Sequence, residues 1–164
     1  MNQPIYLTNT VQMIMAILLC LTSISIVQGA GEIDTCALLT NAEIQAATGQ
    51  EVTEVTNPNA NAVGIPCRYV IGSDGVFSIM AKTVRAEETA DKVEAELKKK
   101  KIPVLKTPGV GDHSFFSSPG YGMIELNTFK DSNYLIITIM VPGASEAGQK
   151  TIAENLMRKA LTKL

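Results

Sequence analysis

The chain has a single histidine, His113, and it stands between Asp112 and Ser114. These are the residue types of an acyl-transfer triad, in which a carboxylate orients an imidazole that takes a proton from a hydroxyl. Adjacency is the wrong arrangement for that chemistry. Consecutive residues of an extended chain point to opposite faces, whereas triad members meet across a fold. No HExxH helix, no phosphate-cradling GxxxxGK[ST] loop, no GxSxG elbow and no Cys/His cluster with ligand spacing occurs in the sequence. No catalytic residue, cofactor or metal is therefore expected. Acids brought together only by folding are left open, since paired carboxylates can be far apart in the chain. The charged residues that do crowd together are Glu87, Glu88, Asp91 and Glu94, followed by Lys98, Lys99, Lys100 and Lys101. Acid first and base last suits a helix dipole, so both groups read as solvated ends of one helix, with anion binding by the lysines as the rival.

Two cysteines, Cys36 and Cys67, remain once the N-terminal stretch with Cys20 is set aside. That stretch holds no charged residue through Ala30 and is mostly apolar from Val11 to Val27. Residues 1–29 read as a secretory signal peptide, with an uncleaved membrane anchor as the alternative. Residues 30–164 then form one exported domain, periplasmic or extracellular, that meets a membrane only if the N-terminal segment is retained. In such a compartment Cys36 and Cys67 read as one disulfide, closing a loop worth roughly 3.5 kcal/mol in the chain-entropy model.

The elements that must position these residues follow from pattern. Thr40-Asn41-Ala42-Glu43 has the form of a capping box opening a short helix that stops at Gly49. Glu51–Thr56 reads as a strand with Val52 and Val55 out of phase, and Asn57–Asn61 as a loop. Cys67–Ile71 and Val76–Ala81 form a hairpin, with positive φ expected at the Asp74-Gly75 step. A longer helix is expected from a Thr83 cap to about Lys100, with Ala86, Ala90, Val93 and Leu97 inward. Val104-Leu105 reads as a brief edge strand. A meander follows: Ser114–Ser117, a Pro119-Gly120 turn, Met123–Phe129, an Asp131–Asn133 turn, then Tyr134–Val141. The last strand is apolar on both faces, which places it centrally under cover on both sides. A final helix begins near Ser145 and carries Ile152, Ala153, Leu156, Met157, Ala160, Leu161 and Leu164 on one face. The fold class is α+β: a mostly antiparallel sheet of five to seven strands, packed by two longer helices and one short N-terminal helix. With no tryptophan and 5% aromatics, its core is aliphatic. At an offset of 47 residues the hairpin after Val63-Gly64 echoes the one after Val110-Gly111, suggesting a repeated unit.

The Ser117–Gly122 loop is the strongest candidate surface. Tyr121 at a glycine-framed tip, flanked by Phe115 and Phe116, offers the amphipathic contact that interfaces favour. The alternative is a tyrosine folded back over the sheet edge. A net charge of −2 provides no field for nucleic acid.

Asp34, Cys36, Leu38, Leu39 and Thr40, then Cys67 with Tyr69 following, resemble a family of functionally uncharacterised bacterial exported domains. Those open with Cys-x-Leu-Leu-Thr and carry one disulfide, and Gly109-Val110-Gly111-Asp112 is similar to their approach to a second hairpin. The resemblance implies an exported domain and brings no catalytic residues. The expected function is non-catalytic binding of a protein or small ligand in the cell envelope. The alternative is an enzyme or enzyme inhibitor whose site only folding assembles.

Overall fold

The computed structural model describes residues 33–56 and 64–164. The expected signal segment and the 57–61 loop lie outside the described residues. After a 3-10 turn at Thr35–Ala37 come α1 (Asn41–Thr48), β1 (Val52–Thr56), β2 (Cys67–Ile71), β3 (Gly75–Thr83) and α2 (Ala90–Lys99). Then follow β4 (Val104–Lys106), β5 (His113–Gly120), β6 (Met123–Lys130), β7 (Asn133–Met140) and α3 (Glu146–Leu161). The strands form one antiparallel seven-stranded sheet in the order β1-β2-β3-β7-β6-β5-β4. The central place of β7 is the one its double-sided apolar pattern requires.

The two faces of the sheet differ. On the first, Tyr69, Ile71, Phe77, Ile79, Leu126, Leu135, Ile137 and Ile139 are buried against α1 and α3, which supply Ile44, Ala153, Leu156, Met157 and Ala160. On the second, α2 lays Ala90, Val93 and Leu97 over Phe115, Phe129 and Tyr134. Cover on that side is incomplete. The second-face residues Val76, Ser78, Met80, Ile136, Thr138 and Met140 stay half-exposed, so among the described residues the third layer reaches β3 only at Met80 and leaves β2 open.

The local signals explain the termini. Glu43 N–H donates to the Thr40 hydroxyl and Thr40 N–H to the Glu43 carboxylate, a reciprocal capping box, and Gly49 closes α1 at φ +68°. The Cys36–Cys67 bridge is formed and ties the turn before α1 to the first residue of β2. A bulge between Val52 and Glu54 brings Val52 and Val55 onto the same face, opposite Ile71 and Tyr69. Their imperfect phasing in sequence is that bulge.

Several expectations are corrected. Thr83 does not cap α2. It ends β3, whose ladder Val84 prolongs by donating to the Ser132 carbonyl, and the cap is Thr89. Ala86 is accordingly exposed and off the helix. Pro119-Gly120 is not the turn but the end of β5, and Tyr121-Gly122 makes the reversal. In the β2–β3 hairpin Gly72, not Gly75, takes positive φ. Gly75 is needed for a different reason: a Cβ there would lie 2.6 Å from the Ile71 carbonyl oxygen and 2.8 Å from Pro142. The repeated unit fails on register. Tyr69 pairs with Phe77, so the offset would pair Phe116 with Ile124, yet Phe116 pairs with Leu126.

Candidate functional site

The meander that bears the candidate tyrosine ends in a two-residue loop. Gly120 and Met123 close the β5–β6 pair, and the residues between them, Tyr121 and Gly122, lie at φ +56° and +74°. Two positive φ values in succession are type I′ geometry, the reversal whose twist matches the flanking strands. Its first position is normally Asn, Asp or Gly. A tyrosine there costs about 1 kcal/mol of backbone strain, and the side chain recovers nothing by packing, being 92% exposed.

Phe115 and Phe116, the other two candidate binding residues, point to opposite faces and are buried. Phe115 sits beneath α2 on the second face. Phe116 belongs to the first-face core and also floors a small depression of about 190 Å³, with Pro103, Leu105, Ile124, Glu146 and Lys150 around it. The Lys150 ammonium stands 5.7 Å from the Phe116 ring centre. Leu105, opposite Phe116 on the outermost strand β4, is 56% exposed. This depression climbs the hairpin as far as Ser118, three residues before Tyr121 in the chain. Strand β4 itself is a poor template for further pairing, because it is three residues long, preceded by Pro103 and ended by Lys106.

The residues around His113 do not form a nucleophilic site. Ser114 faces the first layer, where its hydroxyl donates to the Val110 carbonyl and lies within hydrogen-bond distance, 3.1 Å, of the Thr128 hydroxyl. Asp112 accepts from Asp131 N–H at 2.7 Å and pairs with Lys130. His113 turns to the second face, where Nε2 lies 2.7 Å from the Glu94 carboxylate. Glu94 was expected on the solvated front of the helix, but its side chain is only 4% exposed. It meets Lys98 at 3.3 Å and Lys106 at 3.6 Å besides the imidazole. Burial pushes its carboxyl up, and the His113 bond with the two lysine charges more than reverses this, leaving it below the ordinary carboxylate range. Asp91, Glu94 and His113 bring ligand atoms within 4.8 Å of one another. With both lysines directed at Glu94, that carboxylate's charge is already met, and the cluster is a pin holding α2 to β4 and β5. Sequence reasoning missed it because the lysine of β4 and the histidine of β5 reach Glu94 only through the sheet.

A second polar assembly crosses the second face. The Tyr134 hydroxyl donates to Asn127 Oδ1 at 2.6 Å, Asn127 Nδ2 to the Ser117 hydroxyl at 3.1 Å, and Ser117 in turn to Glu125 at 3.1 Å. Burial, and after it the charges of Glu125 and Glu88, push the Tyr134 phenol well above its ordinary value, so it remains a donor. The chain of bonds ends on the Glu125 carboxylate at the border of the uncovered area.

Compared with family models, with curated proteins and with solved structures, the chain matches none of them. What can be placed is the chemistry of its surroundings. A buried Cys67 bridged to Cys36 is stable in an oxidising compartment. Among the described residues no helix is long and apolar enough to cross a membrane.

Proposed function

We propose that this is an exported, non-catalytic binding domain that engages a protein partner of the cell envelope through the β5–β6 tip. The observation that carries the reading is Tyr121: an aromatic side chain held wholly in solvent, on a backbone conformation that disfavours it. Packing does not explain such a residue, and contact with a partner does, since tyrosine buries a large area with little side-chain freedom to lose. Exposed Leu105 and the shallow depression over Phe116, which reaches Ser118 of the same hairpin, offer further apolar surface. Export is supported by the uncharged, apolar N-terminal stretch, by the disulfide, and by the resemblance to exported domains that open with Cys-x-Leu-Leu-Thr.

A photo-reactive residue at exposed Ser118 tests this in intact cells of the source organism. A discrete adduct that disappears with Tyr121→Ala, and is absent when the probe sits at Thr53 on the opposite sheet edge, supports the reading. Equal adducts from both positions, or one indifferent to Tyr121, would refute it.

A further inference from the structure

The uncovered half of the second face carries an ordered row. Register places Arg68 of β2 beside Ser78 of β3, Ser78 beside Thr138 of β7, and Thr138 beside Glu125 of β6. Directly paired residues share a face, so a cation, two hydroxyls and an anion lie in line across four strands. Apolar residues flank the row: Val76 and Met123 on one side, Pro66, Met80 and Ile136 on the other. Together they line an open depression of about 360 Å³.

The two charges are not spent on each other. Among the described residues Arg68 meets no carboxylate and Glu125 no cation. The Glu125 carboxylate is held in place by the hydroxyl of Ser117, itself fixed by Asn127 and Tyr134. Three strand spacings separate the β2 and β6 backbones, roughly 14 Å. An extended peptide covers that length in about four residues.

We propose that this face binds a short zwitterionic peptide, about four residues long, with apolar side chains and both termini free. Its α-carboxylate takes the Arg68 guanidinium, whose paired N–H groups match a carboxylate. Its α-ammonium takes Glu125. The Ser78 and Thr138 hydroxyls meet the peptide backbone between, and the ligand side chains lie on Val76, Met123, Met80 and Ile136. The site is separate from the Tyr121 tip and does not depend on a partner there.

Calorimetric titration of the disulfide-bonded domain with an alanine–valine tetrapeptide decides it. The free tetrapeptide is expected to bind, and N-acetylation, C-amidation or shortening to a dipeptide each to weaken binding about tenfold or more. Arg68→Ala should abolish the penalty for amidation while keeping that for acetylation, and Glu125→Gln should do the reverse. Tyr121→Ala should leave every value unchanged. Because Arg68 is exposed, its variant retains the thermal midpoint. No heat from the free tetrapeptide at several millimolar overturns the proposal, as does equal affinity for capped and free peptides.

Discussion

The Glu94 carboxylate and the His113 imidazole, 2.7 Å apart, join the underside of α2 to the sheet. Helix α2 offers only Ala90, Val93 and Leu97 to the apolar layer, so this polar contact bears much of the helix's attachment. Its folded-state carboxyl lies below the ordinary value. The stability it contributes is therefore complete above the unfolded glutamate pKa and is lost as pH falls through the lower folded one. Glu94→Gln should cost about 1–3 kcal/mol at neutral pH. The gap from the parent should close in acid. Denaturant titrations at neutral and acid pH check this, and a gap independent of pH would contradict it.

The C-terminal helix is held at its last turn by two contacts. Ala160 is fully buried, and the Lys163 ammonium lies 2.9 Å from the Glu43 carboxylate of α1. The Thr40 backbone N–H, then the Lys163 bond, lower the Glu43 carboxyl from 4.5 to about 2. Removing residues 160–164 should lower the melting temperature by at least about 3 °C. It should also raise the Glu43 pKa measured by NMR. An unchanged midpoint with an unchanged Glu43 titration would show that the end is not docked.

Reduction separates the turn before α1 from β2. Replacing Cys36 and Cys67 together by Ala should cost roughly 3–4 kcal/mol, mostly by freeing the unfolded chain. Comparing denaturation midpoints of oxidised and cysteine-free domain measures it. A loss under about 1 kcal/mol would mean that the unfolded chain is already compact there.

Much of this fold can be read locally. Thr40 and Glu43 three residues apart, Gly49 at a helix end, and the two-sided apolar run after Asn133 each constrain the backbone within a few residues. What failed was decided by partners elsewhere in the chain. Thr83 and Thr89 are equally good caps by composition, and the Val84–Ser132 bond of the sheet is what chooses between them. Pro119-Gly120 looks like a turn, but the strand continues through a bulge and reverses at Tyr121-Gly122. Helix α2 ends at Lys99, and two residues on the chain turns away at Lys101 in the left-handed region, φ +59°, with no glycine to mark it. The solvated appearance of Glu94 and the row from Arg68 to Glu125 are both matters of register, and register between distant strands leaves no signature in either strand alone.

Tyr121 sits in the loop against the interest of stability. Asn is the favoured residue at that position of a type I′ turn, so Tyr121→Asn should raise stability by about 0.5–1 kcal/mol. Melting temperature and crosslinked-adduct yield from Ser118, measured side by side on the parent and this variant, test the claim most directly. A higher midpoint with the adduct lost is the result expected. A lower midpoint, or an adduct that survives the substitution, would contradict it.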